Sequence, residues 1–130
     1  MTHLSRHDLE DHASGWIAAW NRHDVEAVLE PFADDAVFVS PLAASVTGRA
    51  TIEGRAALGA YWTAALGRVP DLRFRLVAAL CDPQGQSLLV HYLSHAGGRT
   101  VRAAELMRFR EGRQVYGEAF YGAVVDPVHP

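Results

Sequence analysis

A carboxylate stands where an apolar side chain belongs. Between Val101 and Phe109, the residues Val101, Ala103, Met107 and Phe109 recur at the two-residue period of a strand with one buried face, and Glu105 falls in the middle of that face. Three roles are open to it: an acid or base whose pKa is raised by desolvation, a hydrogen-bond anchor for a ligand, or one half of a buried ion pair. Arg102, Arg108 and Arg110 have the opposite strand parity and are expected to point away, which favours the first two roles. Carrying a glutamate from about 4.3 to near neutrality requires several kcal/mol from its surroundings, which apolar packing supplies. The remaining chemistry-bearing residues form no second motif. None of the seven histidines has metal-ligand spacing; His91 and His95 share a strand face but lie too far apart to chelate alone, so no metal site is expected. The single cysteine, Cys81, excludes an internal disulfide and reads as a small apolar filler.

The elements that must position Glu105 follow from periodicity. Ser5 is placed to cap a helix running to about His23, with Leu9, Ala13, Trp16 and Trp20 along one stripe. Asp24 caps a short second helix to about Glu30, Pro31 closes it, and Ala36 to Ser40 reads as a strand. A loop through Thr47-Gly48 leads to Glu53-Gly54, which opens a third helix ending near Gly67, its face formed by Leu58, Tyr61, Trp62, Ala65 and Leu66. From Leu72 the period becomes two, with Phe74, Leu76, Ala78 and Leu80 on one side. Strands then follow at Ser87 to His95, Thr100 to Arg110 and Val115 to Val124, joined by turns at Asp82-Pro83-Gln84-Gly85, Ala96-Gly97-Gly98 and Glu111-Gly112. Helices first and strands afterwards predict an α+β domain: three N-terminal helices on a curved, mainly antiparallel sheet.

The Glu111-Gly112 turn decides what else shares the Glu105 face. A three-residue loop with Gly112 left-handed puts Val115, Gly117 and Ala119 there and Glu118 opposite; a two-residue loop brings Glu118 in as a second carboxylate. Glutamate is disfavoured before glycine in a two-residue turn, so the first arrangement is expected, with Gly117 lining and enlarging a cavity.

At 130 residues and 14.2 kDa, with 49% apolar residues, the chain suits one domain over residues 1–130. A net charge of −3 and scattered basic residues give no footprint for nucleic acid or an anionic membrane. No leader and no apolar run long enough to cross a bilayer is visible, so a cytoplasmic location is expected.

Four stretches together carry a family resemblance: residues 16–24 (WIAAWNRHD), 31–37 (PFADDAV), 54–58 (GRAAL) and 108–113 (RFREGR). The chain resembles the nuclear transport factor 2-like superfamily, and within it SnoaL-like proteins and ketosteroid isomerases, from about Leu9 to Gly122. The resemblance implies a cone-shaped fold around a pocket, in a superfamily that hosts isomerases, cyclases, hydrolases and non-catalytic binders. In ketosteroid isomerases a first-helix tyrosine and a protonated late-strand aspartic acid hold the oxyanion while another aspartate moves the proton. The corresponding positions here are Trp16, Glu105 and Ser40, with Phe32 and Trp62 replacing supporting tyrosines. An indole is a weaker acid than a phenol and a serine hydroxyl a very weak base, so steroid isomerisation of that kind is not expected. SnoaL-like cyclases often carry an aspartate near the end of the last strand, where Phe120-Tyr121-Gly122 offers none.

The resemblance also places Leu88, Val90 and Tyr92 on the pocket face. With Trp16, Phe32, Trp62, Phe74 and Met107 they describe an apolar cavity whose polar groups are Glu105, Ser40, the Tyr92 hydroxyl and His12 at its mouth. Trp20 reads as plain core. The reading taken is a SnoaL-like enzyme performing acid–base chemistry on a small apolar carbonyl- or ring-containing compound through Glu105, with no cofactor. The alternative is a non-catalytic ligand-binding or dimerisation domain of the same fold. The outer sheet face mixes His91, Leu93, Leu106, Arg108, Tyr116, Glu118 and Phe120, and a homodimer is expected to cover it.

Overall fold

The computed structural model describes residues 2–125, so His129 lies outside the described residues. Ser5 opens α1 (Arg6–Asn21) through a reciprocal cap: its Oγ accepts from the Asp8 N–H and the Asp8 carboxylate accepts from the Ser5 N–H. The stripe Leu9, Ala13, Trp16, Ala19 and Trp20 is buried. Asp24 caps α2 (Val25–Leu29) by accepting from the Ala27 N–H. The first strand, β1 (Phe32–Val39), begins earlier than the sequence predicts.

Four helices form among the described residues instead of the three expected. Where a loop was predicted, Ser40 caps α3 (Pro41–Thr47), its Oγ accepting from the Leu42 N–H, and Gly48 ends that helix at φ 84°. Serine, then proline in the first turn, then a left-handed glycine is a complete start-and-stop signal. The short strand β2 (Thr51–Glu53) follows, then α4 (Arg55–Arg68), which buries Leu58 and Trp62. The remaining strands are β3 (Arg73–Asp82), β4 (Ser87–Ala96), β5 (Arg99–Arg110) and β6 (Arg113–Val124).

All six strands form one sheet in the order β2-β1-β6-β5-β4-β3, antiparallel except where β1 runs parallel to β6. Asn21, at the end of α1, ties the edge strand to the helix layer: it donates to the Phe74 carbonyl at 2.9 Å and accepts from the Phe74 N–H at 2.7 Å. The core fills the space between the helices and the inner sheet face.

Two register shifts alter what the sequence predicts. In β3 the pairing slips at Val77, so Phe74 and Leu76 oppose the inward Ser94 and Tyr92, whereas Ala79 and Cys81, not Leu80, oppose the inward Val90 and Leu88. Leu80 is thereby turned outward and is 61% exposed. In the β5–β6 hairpin, Arg110 pairs with Arg113, so the loop has two residues, Glu111 at φ 52° and Gly112 at φ 77°. A bulge follows at once, because Phe109 pairs with Gln114 but Arg108 pairs with Tyr116. The extra residue restores the facing that a three-residue loop would have produced: Gly117 and Ala119 lie inward, and Glu118 pairs with Leu106 on the outer face, where it accepts from the Tyr116 hydroxyl at 2.6 Å. Gln114, fully buried, takes the inward place expected of Val115.

Candidate functional site

The sheet and helices α1, α3 and α4 border a cavity of about 170 Å³. Helix α1 contributes Trp16 and Trp20, α4 contributes Tyr61 and Trp62, and the sheet contributes Phe74, Tyr92, Glu105 and Tyr121. The rings pack against one another. Trp16 stacks on Phe74 at 5.3 Å and meets Tyr92 edge-on at 5.1 Å, while Trp20 meets Trp62 edge-on at 5.3 Å. These rings come from two helices and three strands, and Val69 and Leu72 of the connection between α4 and β3 complete the wall.

Glu105 sits on β5 between Val90 of β4 and Ala119 of β6, and is 4% exposed. Its Oε2 has no hydrogen-bond partner, and no cation forms an ion pair with it among the described residues. Desolvation alone raises its pKa to about 8. The ion-pair role is thus set aside. A carboxyl group in this state is held mostly neutral at pH 7, and becomes a stronger base than an exposed glutamate once it ionises.

The phenols around Glu105 respond to the same surroundings. Burial raises the Tyr92 hydroxyl well above its ordinary value, with the Glu105 charge adding to it. Burial also raises Tyr121, reinforced by Glu105 and Tyr61 and partly opposed by the Ser40 hydroxyl. Two indole N–H groups, of Trp16 and Trp20, are buried without a hydrogen-bond partner among the described residues. Such groups cost free energy until an acceptor reaches them.

Of the residues the sequence assigned to ligand binding, Trp16, Ser40, Trp62, Phe74 and Tyr92 join Glu105 at the cavity wall. Phe32, Val90, Met107 and Gly117 do not. The first three are closed off in the core, at 1%, 0% and 0% exposure. Gly117 lies inward as expected, yet Phe38, Gln114 and Glu105 occupy the space a Cβ there would need, so it makes room for these neighbours rather than widening the cavity. His12 is also placed elsewhere: its Nε2 is 3.1 Å from the Gln114 Oε1, its ring meets Phe109 edge-on, and it lines a groove beside α1 and α2. That groove and a depression between α2 and α4 are larger, at about 520 and 770 Å³, but neither includes Glu105.

Sequence reasoning missed Trp20, Tyr61, Ser94 and Tyr121 as wall residues. For Tyr121 the signal existed, since the parity that puts Gly117 and Ala119 inward continues to it. For Trp20 the helical stripe is the same whether a ring fills the core or borders a cavity.

A family model for the SnoaL-like domain matches residues 13–116. Among solved structures, a SnoaL-like protein of unknown function from Burkholderia thailandensis is 32% identical, with a TM-score of 0.83, covering 94% of this chain and 100% of that one. An NTF-2 like protein from Burkholderia xenovorans shares the fold at 19% identity and a TM-score of 0.75, covering 91% of this chain and 85% of that one. A protein with a ketosteroid isomerase-like fold from Catenulispora acidiphila, solved in complex with trimethylamine, is 19% identical with a TM-score of 0.70, covering 86% of this chain and 85% of that one. No curated protein matches the chain.

Proposed function

The chain belongs to the SnoaL-like domain family, and on that premise we propose that it is an acid–base enzyme acting on a small carbonyl compound of about one ring, with Glu105 moving the proton. The observation that carries the reading is the state of Glu105: buried, without an ion-pair partner among the described residues, and at the wall of an aromatic cavity. Structural carboxylates are paired; one left desolvated at a cavity wall is poised for proton transfer. Size narrows the substrate. A cavity of about 150 Å³ accommodates benzene, and this one, at about 170 Å³, suits one ring and is too small for a fused four-ring steroid. In the reaction the ionised Glu105 takes a proton from the carbon beside the carbonyl, the C–H pair forms a C=C bond, and the carbonyl electrons move to oxygen. Returning the proton to the same or a conjugated carbon completes exchange or isomerisation.

The test follows hydrogen–deuterium exchange at the α-carbon by NMR for cyclic ketones and enones of five to seven ring atoms. Wild-type protein accelerates exchange on at least one of them and Glu105→Gln does not. Exchange no faster than buffer across the whole panel would sink the enzyme reading.

The alternative, a non-catalytic binder, draws on one specific feature: aromatic faces beside an unpaired carboxyl also suit a substituted ammonium ion, and the Catenulispora acidiphila protein of this fold was solved with trimethylamine. Binding of trimethylammonium that tightens as pH rises through about 8, with release of the Glu105 proton, is the result that favours it. In either case we place a second copy of the chain on the outer sheet face.

A further inference from the structure

The acid–base reading leaves open what receives the charge that develops on the carbonyl oxygen, and β6 holds a group suited to it. Ala119 pairs with Glu105, and Tyr121 pairs with Ala103. Tyr121 therefore lies on the inner face, diagonal to Glu105 and within reach of a long side chain. The pairing slips just beyond it, between Tyr121 and Val124. Tyr121 is 39% exposed and lines the cavity together with Ser40 and Tyr61.

Ser40 explains why this phenol differs from its neighbours. Its Oγ already accepts from the Leu42 N–H at 3.1 Å as the cap of α3, so the serine's own proton is left to donate. Ser40 and Tyr121 share the cavity wall, and a donation from the serine to the phenol oxygen would extend the chain from backbone amide to serine to phenol, each bond polarising the next. The Tyr121 proton is then the free end, on a wall it shares with the carboxyl of Glu105.

We propose that Tyr121 is a second catalytic group, donating a hydrogen bond to the carbonyl oxygen of the substrate while Glu105 takes the proton from the neighbouring carbon. Ser40 is a positioning residue that polarises it. In the enolate-forming step no proton leaves Tyr121; its O–H bond lengthens toward the oxygen that gains charge, and relaxes when Glu105 returns its proton.

The experiment uses cyclohexenone with an isotopically labelled carbonyl as the probe, its C=O stretch read by difference infrared spectroscopy on the bound complex. In wild-type protein the band falls to lower wavenumber than in hexane. Tyr121→Phe, which keeps the ring, moves it most of the way back, weakens binding by about 2- to 12-fold for one hydrogen bond, and lowers α-carbon exchange. Ser40→Ala moves the band part of the way back. Glu105→Gln abolishes exchange but leaves the band shifted. If the shift survives Tyr121→Phe and disappears in Glu105→Gln, the protonated glutamate is the donor and the proposal is overturned, with the acid–base reading intact. Failure of wild-type protein to bind the probe would overturn the role of Tyr121, whereas the acid–base reading falls only if no member of the ketone and enone panel exchanges faster than in buffer.

Discussion

A Cβ on Gly117 would stand 3.4 Å from the Oε2 of Glu105, and at the same time 3.2 Å from the Gln114 Nε2 and 3.3 Å from a ring carbon of Phe38. The glycine is needed for this close approach, not for its backbone freedom, since its φ is not positive. It lets the buried carboxyl of Glu105 and the buried amide of Gln114 occupy one layer of the core.

Gly117→Ala tests that relationship. The three neighbours must each yield by a few tenths of an ångström, and overpacking of this kind costs about 1–3 kcal/mol. The urea midpoint is expected to fall at unchanged slope, and the titration of Glu105, followed by NMR, to move upward as its carboxyl loses room. A variant as stable as wild type would mean that the layer is loosely packed.

Glu105 itself weakens the fold at high pH. Its folded pKa, at about 8, lies above the ordinary value of 4.5, so between those values the unfolded chain ionises while the folded one remains protonated. Stability is lost across that window as pH rises and is lowest above it. Glu105→Gln is therefore expected to stabilise the protein at pH 8.5, by an amount on the order of a few kcal/mol, and to change little at pH 4. Thermal midpoints at the two pH values decide the matter. Strong destabilisation at the higher one would restore an ion-paired carboxylate and end the active-site reading.

The inward position of Glu105 was legible in the sequence because burial on one strand face imposes a strict alternation that a carboxylate visibly breaks. The facing of Gly117 and Glu118 was read correctly from an incorrect turn: the loop has two residues, and the bulge after it supplies the missing one. Bulges hide from alternation, since a slipped strand still alternates on either side of the slip. That is also why Leu80 was grouped with Phe74, although Val77 separates their faces. Helix α3 was missed for a different reason. Ser40-Pro41 was read as a strand end, and seven residues carry too few apolar positions to announce a period. The cavity wall was only half legible, because packing decides which inward aromatic rings touch one another and which leave a gap.

The slip at Val77 bears on assembly. It exposes Leu80 at 61% and Val77 at 49%, and Phe120 on β6 is 46% exposed. Apolar groups spread over an uncovered sheet face favour a second copy of the chain. Light scattering at micromolar concentration is expected to give about twice the chain mass, and Phe120→Lys to shift it toward one chain without unfolding. A monodisperse monomer in the wild type removes the dimer.

The opposite pH slope comes from His12. Burial lowers its pKa from 6.5, with the Gln114 hydrogen bond working against the shift, so the folded protein keeps the ring neutral where the unfolded chain takes up a proton. The stability this represents is fully present above 6.5 and is lost as pH falls from there through the folded value. Glu105 acts the other way, gaining stability as pH falls from about 8 to 4.5, so between 4.5 and 6.5 the two slopes oppose each other. His12→Gln removes the histidine slope and keeps a polar partner for Gln114. Its thermal midpoint is expected to climb steadily on acidification from pH 8 to 5, whereas that of the wild type climbs and then flattens or turns down below about 6.5. The carboxylates of Asp8 and Asp71, whose pKa values are lowered from 3.8, lose their contribution only in more acidic solution and leave this range undisturbed. Parallel curves for the two proteins would mean that His12 takes up its proton as readily in the folded state as in the unfolded chain, and that the groove beside α1 is wet enough to hydrate it.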